Sequence, residues 1–333
     1  MSDYPAITVL LPVYFPHVSA GLTLLLKRAL ESVADQDYPG SIEVLVIDDG
    51  SPYSVRDVYD SLGSVKSIVK WKRLKNNLGI VGALNTGISI ATSPLIARLD
   101  ADDTWLDGKL ESQVNQFLED SDLTISATGM VRVDTSGVEI DRHIRPGDWE
   151  GILEFFVKGG CPFPHGSVVA SRVVFQWLGG YPWSAAVRHC EDYALWGIWL
   201  RFFKPAMIEK VLYSYRVSES SVSAEFGGQQ SAASQKVRKK FEDLGLGRIL
   251  PQALPALSLS LGASLVEAGM LAYRAWFFRA PIAVPADAVG PLTAILPDRI
   301  LTRVAKAPHW RSVIDGIGRD IDGFVSLQAD GVM

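Results

Sequence analysis

Two apolar runs that end in paired aspartates constrain this chain more than any other feature. Residues 42–47 lead into Asp48-Asp49-Gly50-Ser51, and residues 95–99 lead into Asp100-Ala101-Asp102-Asp103. Each run has the length of a buried strand, and a helix-length segment separates one from the next. An earlier run, 7–12, has the same character, and between it and the second run the apolar residues Leu22, Leu25, Leu26, Ala29, Leu30 and Val33 recur at helical spacing. Strand–helix alternation predicts a parallel sheet with crossover helices, and such sheets bind ligands at the carboxyl ends of their strands. The expected fold class is therefore α/β, a mostly parallel sheet flanked by helices.

Further along, the pattern predicts a more polar strand at 67–72 and a helix at 80–90, interrupted by Gly82 and Gly87, whose role is either approach to a ligand or tight helix–sheet packing. A helix at 108–118 and a hairpin from 123–133 into 138–140 follow. Residues 149–157 read as an amphipathic helix, 159–166 as a surface loop and 167–170 as a strand. Glu191 and Asp192 open an apolar helix over 193–203, where acidic residues suit the macrodipole and should stay ionised. A strand at 206–217 and a helical pattern from Gln229 onward complete the reading.

The carboxylates Asp100, Asp102 and Asp103 repel one another, and burying them unpaired is costly. A hard divalent cation such as Mg²⁺ or Mn²⁺ removes the conflict, since these ions take oxygen ligands from one or two carboxylates plus substrate phosphates. The plainer alternative is a solvated acidic turn with Asp103 capping the next helix.

Composition narrows the partners. With 32 Lys plus Arg against 37 Asp plus Glu, the formal charge is −5, and no basic block points to nucleic acid. Cys161 and Cys190 are too few for a disulfide framework, which predicts free thiols in a reducing compartment. The start Met-Ser-Asp-Tyr-Pro has neither the basic start nor the apolar run of a signal peptide. The expected location is the cytoplasm, including the cytosolic face of a membrane.

Taken in order, the motifs resemble the family 2 glycosyltransferases of the GT-A fold. Pro12-Val13-Tyr14 follows the first strand, and Ser32, Gln36, Tyr38 and Pro39 match the family's Ser-x-x-x-Gln-x-Tyr-Pro turn. Residues 46–51 resemble its nucleotide-binding strand end. Asn77, Gly79, Ala83 and Asn85 resemble its donor-side helix, and Asp100-Ala101-Asp102 its Asp-x-Asp. Glu191-Asp192-Tyr193 is similar to the catalytic acidic pair, and Tyr215-Arg216 with Ser220 and Ser223 to the closing motif.

The resemblance implies a nucleotide-sugar donor, usually UDP-linked, lying across the sheet's carboxyl edge. Pro12, Val13 and Tyr14 would line the base, Asp49 would bond the uracil and Asp48 would support it. Asn77, Gly79, Asn85 and Ala101 would contribute to the donor site. Asp100 and Asp102 would flank the diphosphate and a Mn²⁺ or Mg²⁺ ion, with Asp102 the closer ligand, and Arg98 would add positive charge. Asp192 would be the general base and Glu191 would orient the loop or bind the acceptor, a glycan or lipid-linked species. His165, Trp183 and Arg216 are acceptor-side candidates, and for His165 a hydrogen-bonded structural role stays equally open. The chain departs from many members at Leu84, where Arg is common, and at Ser218, where His is common. The processive Gln-x-x-Arg-Trp motif is absent, which implies transfer of a single sugar with inversion, in cell-surface polysaccharide or glycoconjugate synthesis.

The expected domain layout is a glycosyltransferase domain over 1–225, with a nucleotide-sugar half at 1–105 and an acceptor half at 106–225, and a helical extension over 226–333. Residues 249–266 carry no charge, but Pro251, Pro255 and the following Glu267 argue against a membrane span. With Arg274, Trp276, Phe277, Phe278 and Arg279 beyond it, the extension is expected to make peripheral membrane contact. A competing function is a catalytically silent nucleotide-sugar or metal-binding protein acting through partners. A nucleotidyltransferase would need a Gly-rich phosphate loop after the first strand, and residues 12–16 do not form one.

Overall fold

The computed structural model describes residues 4–53, 63–182, 187–218 and 222–243, together with 255, 258–259 and 263–277. Strand β1 (Ile7–Val13) is buried along its whole length and lies between β2 (Ile42–Asp48) and β4 (Leu95–Arg98), parallel to both. Strand β3 (Val69–Arg73), preceded by a 3₁₀ turn, pairs parallel with β2 at the edge. Helix α1 (Ala20–Ala34) is capped by Ser19, whose hydroxyl accepts from the Leu22 N–H at 3.3 Å, and it buries Leu26, Ala29, Leu30 and Val33. Helix α2 (Gly79–Ile90) packs so closely on β1 that a Cβ at Gly87 would lie 2.8 Å from a Leu10 methyl. Tight packing is therefore the role of this glycine.

The second half of the sheet is mixed. Strand β5 (Thr104–Trp105) and helix α3 (Lys109–Glu119) lead to β6 (Leu123–Val133) and β7 (Glu139–His143), which form the expected hairpin. Helix α4 (Trp149–Val157) precedes β8 (Val169–Ser171) and the short helix α5 (Arg172–Trp177). Helix α6 (Glu191–Phe202) and β9 (Lys204–Arg216) follow, then α7 (Val222–Asp243) and α8 (Leu265–Phe277). The nine strands form one sheet in the order β3-β2-β1-β4-β8-β6-β9-β5, with β7 beside β6. Strand β8 runs antiparallel to both β4 and β6, and β5 antiparallel to β9, so the parallel expectation holds without exception only from β3 to β4.

Alternate residues of the central strands feed two cores. Leu10, Leu45, Ile47 and Ile96 join a cluster with Trp196, Trp199, Phe175 and Phe203 of the helices on one face. Val9, Leu11, Val44, Val46 and Ala97 join Leu26, Leu30, Leu110 and Val114 on the other. Both faces are thus covered, which leaves the strand ends as the place for polar chemistry. Residues 226–243 and 265–277 are helical as expected. Most of the uncharged stretch 249–266 lies outside the described residues, as do Trp183, Phe278 and Arg279. Among the described residues no helix is long and apolar enough to cross a membrane.

Candidate active site

At the carboxyl ends of β1 and β2 the side chains are held by backbone groups. Asp48 is buried and its Oδ1 accepts from the Ser51 N–H at 2.9 Å, while Arg73 Nε lies 3.6 Å from its other oxygen. The Ser51 hydroxyl in turn accepts from the Phe15 N–H, so the segment after Pro12, Val13 and Tyr14 is tied to the β2 end. Asp49 Oδ1 accepts from the Leu78 N–H at 2.8 Å. Burial raises its pKa, and the Leu78 and Gly79 N–H groups pull it back. Gly50 has φ +68°, and a Cβ there would sit 2.5 Å from the Asn76 backbone. Only glycine lets these two loops touch. Asn77 is exposed, and its side chain accepts from the Gly79 N–H at 3.0 Å.

The Asp-x-Asp segment is organised around Arg98. This guanidinium is buried at the end of β4 and ion-pairs with Asp100. Its Nε is buried with no hydrogen-bond partner among the described residues. Burial next to Asp100 raises Asp102 to about 6, against the opposing charges of Arg98 and Arg216. Asp103 does not cap α3, whose N-cap is Gly108. It is buried and accepts from the Tyr213 hydroxyl and, at 2.7 Å, from the Arg216 N–H, which fastens β9 to the loop. Burial drives its pKa well up, then Asp100 and Asp102, and these two hydrogen bonds oppose the rise.

Glu191 and Asp192 begin α6. Burial, then Asp192, raises Glu191 to about 7, and Arg98 opposes the rise. Asp192 accepts from the Tyr193 N–H at 2.7 Å, yet burial raises its pKa too, with Asp100 adding to the rise and Arg98 opposing it. The helix start was expected to keep Asp192 ionised; desolvation outweighs it, and the shift is upward. Arg98 thus acts on the Asp-x-Asp pair and on the α6 pair, so chain segments 90 residues apart in sequence face one charge. His189, just before the pair, has φ +66°, a left-handed conformation that non-glycine residues avoid.

A cation fits this donor set in one way. Among the described residues no three His, Cys, Asp or Glu side chains converge to hold a metal. Asp100 and Asp102 supply two neighbouring carboxylate groups, one destabilised by burial and by the other's charge, which suits a hard ion that completes its shell with phosphate oxygens and water.

Residues 22–176 match the family model described as Glycosyl transferase family 2. The chain is a glycosyltransferase, similar to that family over just under half of its length. The glycosyltransferase is 27% identical over 220 residues to the putative glycosyltransferase EpsE of Bacillus subtilis, covering 65% of this chain and 74% of that one. It is 28% identical over 230 residues to WfgD of Escherichia coli, a UDP-Glc:α-D-GlcNAc-diphosphoundecaprenol β-1,3-glucosyltransferase, covering 67% of this chain and 81% of that one. Among solved structures, Staphylococcus aureus TarS 1–349 in complex with UDP superposes with TM-score 0.54 at 16% identity, covering 97% of this chain and 90% of that chain. That likeness is one of fold, and it agrees with the GT-A architecture.

Several expected donor or acceptor residues have structural work in the glycosyltransferase. The half-buried Asn85 amide is engaged within the fold. Its Nδ2 donates to the Tyr181 carbonyl at 2.9 Å and its Oδ1 accepts from the Tyr181 N–H at 2.8 Å, pinning α2 to the 179–181 turn. His165 shares a 2.7 Å hydrogen bond with the Tyr181 hydroxyl and meets Trp196 edge-on; burial, then Arg98, lowers its pKa well below the usual imidazole value, which makes it a neutral structural residue. Arg98 serves first as counter-ion to carboxylates from inside the strand. Arg216 Nη1 donates to the carbonyls of Asp134 and Thr135 at 3.1 and 2.9 Å, while its charge still reaches Asp102. Sequence reasoning quoted Ser32 and Gln36 without a role. The Ser32 hydroxyl accepts from the Trp105 N–H, and Gln36 bridges the Leu106 carbonyl and the Leu110 N–H, so this turn positions the segment just after the Asp-x-Asp.

Proposed function

We propose that the glycosyltransferase moves a single sugar from a UDP-linked donor to an acceptor hydroxyl with inversion, in the synthesis of a surface polysaccharide or glycoconjugate. The carrying observation is that Asp100 and Asp102 on one side and Glu191 and Asp192 on the other share the field of the buried cation Arg98. The WfgD enzyme and the UDP-bound TarS structure support a UDP donor and, through WfgD, a lipid-linked acceptor.

In this reading, the loops at 12–14, 48–51 and 76–79 receive the nucleotide, with Asp49 and Asp48 at the base. Asp100 and Asp102, with Asp102 nearer, hold Mn²⁺ or Mg²⁺. When bound, the ion supplies Lewis acidity that stabilises charge on the departing diphosphate. Asp192 takes the proton of the attacking acceptor hydroxyl, and its raised pKa makes it a better base than an ordinary surface aspartate. Glu191, raised to about 7, orients the acceptor or the loop. Arg98 keeps the two acidic groups from repelling each other before substrate arrives.

The test is incubation of the full chain with UDP-sugars and a candidate acceptor, with Mn²⁺ or with EDTA. Metal-dependent UDP release and a β-linked product from an α-linked donor, read by NMR, are expected. An α-linked product refutes inversion, and equal turnover in EDTA refutes the metal.

A further inference from the structure

A cavity of about 360 Å³ opens beside Asp192, and one wall of it has no part in the reading above. Asp192 and Tyr193 line it from the start of α6. The opposite wall is α7, which contributes Gln230, Ser234 and Arg238. These α7 positions are four residues apart, so they share one face of the helix. The neighbouring positions Ala233 and Val237 pack against the hydrophobic core. The helix therefore turns its apolar side inward and a row of amide, hydroxyl and guanidinium groups to the cavity.

Amides and hydroxyls both donate and accept, which is the pattern that sugar hydroxyls require. The volume lies near the lower end of the roughly 300–1,000 Å³ range of small-molecule sites, room for one sugar with a substituent. Arg238 adds something a neutral sugar does not need. It is half-buried and forms no ion pair among the described residues. Its guanidinium crosses Gly159, where a Cβ would lie 2.0 Å from Nη1 and where φ is +99°. Its charge reaches into the cavity: burial raises the Tyr193 phenol to about 12, and Arg238 acts against that rise. A second arginine, Arg145, is half-buried within the electrostatic reach of Cys161 and Asp192, and its buried Nη1 lacks a hydrogen-bond partner among the described residues. A permanently charged, forked donor in a polar cavity is suited to a phosphate or carboxylate.

We propose that this cavity takes the acceptor sugar and that Arg238 binds an anionic group carried by that acceptor, a phosphate or a carboxylate. The inference rests on Asp192 as the base, because it places the attacking hydroxyl at the α6 end of the cavity and the anion at the α7 end.

The experiment uses the full chain saturated with UDP and Mn²⁺, so that the donor side is filled. N-acetylglucosamine 1-phosphate, glucuronic acid and the neutral methyl glycoside of N-acetylglucosamine are titrated separately by calorimetry. At least one anionic sugar is expected to bind about tenfold more tightly than the neutral one, the scale of one charge-assisted contact. The sugar that gains identifies the source, phosphate or carboxylate. Arg238→Gln should erase the margin without changing UDP affinity, which also shows that the variant is folded, and Arg238→Lys should restore part of it. Equal binding of all three sugars, or a margin that survives Arg238→Gln, overturns the proposal. A titration of UDP with Mn²⁺ and a repeat of the sugar titrations without them separate the two readings: failure of UDP to bind sinks the donor assignment, while the charge preference of the sugars stands or falls independently.

Discussion

The two acidic regions of the site are built differently. On the β1–β2 side, Asp48 and Asp49 each accept a backbone N–H, from Ser51 and Leu78, and the loops that bear them interlock through Gly50. On the β4–α6 side, Asp100, Asp102, Glu191 and Asp192 crowd around Arg98, and Asp102, Glu191 and Asp192 have raised pKa values because burial is not repaid by enough hydrogen bonds. In the first region burial raises the Asp49 pKa as well, with the Leu78 and Gly79 N–H groups opposing the rise. The second holds unresolved charge that a cation, a diphosphate and an acceptor would settle. Carboxylates held by backbone N–H groups and carboxylates gathered round a guanidinium thus occupy neighbouring parts of the same sheet edge.

That contrast is most sharply broken at Asp192. Asp192→Asn is expected to lower transfer by on the order of a hundred- to ten-thousand-fold. UDP affinity measured by calorimetry should stay at the wild-type value, since the nucleotide loops are self-supported. Comparable losses in both would mean that the regions are not separable. Next in size, Arg98→Met leaves the buried carboxylates without their counter-ion. A loss of about 3–5 kcal/mol in urea-denaturation stability is expected, the usual cost of orphaning one side of a buried pair. Asn85→Ala should cost less, about 1–3 kcal/mol, because it abandons the Tyr181 N–H and carbonyl in a partly buried joint.

The smallest effect is one of pH. Asp102 at about 6 and Glu191 at about 7 lie above their unfolded values, so the folded chain holds extra protons between roughly pH 4 and 7. The stability they contribute is fully present at low pH and is lost as pH rises through about 6 and 7. Melting temperatures of the metal-free, nucleotide-free protein should therefore fall over that window relative to Glu191→Gln, and adding Mn²⁺ with UDP should flatten the difference. A Glu191→Gln profile parallel to wild type would remove Glu191 from this account.

Sequence period and strand-end chemistry located β1, α1, β2, α2, β4, α4 and the start of α6 well, because each buries a regular stripe. Strand β5 was not legible, and β8 was legible as a strand at 167–170 but not in its direction. Two or three residues carry no period, and their direction depends on partners 43 to more than 100 positions away, such as Ser126 beside Val169 and Tyr213 beside Trp105. The Asp-x-Asp was legible as a cluster but not as a network. Nothing local reveals that Asp103 belongs to Tyr213 and Arg216, or that Arg98 turns inward to meet Asp100. Asn85 was expected at the donor by its motif position, and His165 was open between an acceptor contact and a structural hydrogen bond; the turn at 179–181 bonds both.

The pairing of β6 with β9 has a consequence for how the chain is made. The parallel first half, β1 to β4, can close as soon as residue 98 is available, apart from its border with β8. Strand β6 ends at Val133, but its long neighbour begins only at Lys204, and β5 waits for Tyr213 and Ser214. At about 5–20 residues per second, a ribosome leaves that edge of β6 bare for several seconds. During this interval a strand with buried apolar residues, Leu123 to Val131, faces solvent with only the β7 hairpin and β8 to shield it. A chain cut short before residue 204 should therefore be prone to aggregate although every strand from β1 to β4 is present, and the loops proposed for the nucleotide should form long before the proposed catalytic pair, Glu191 and Asp192, has a finished sheet beside it.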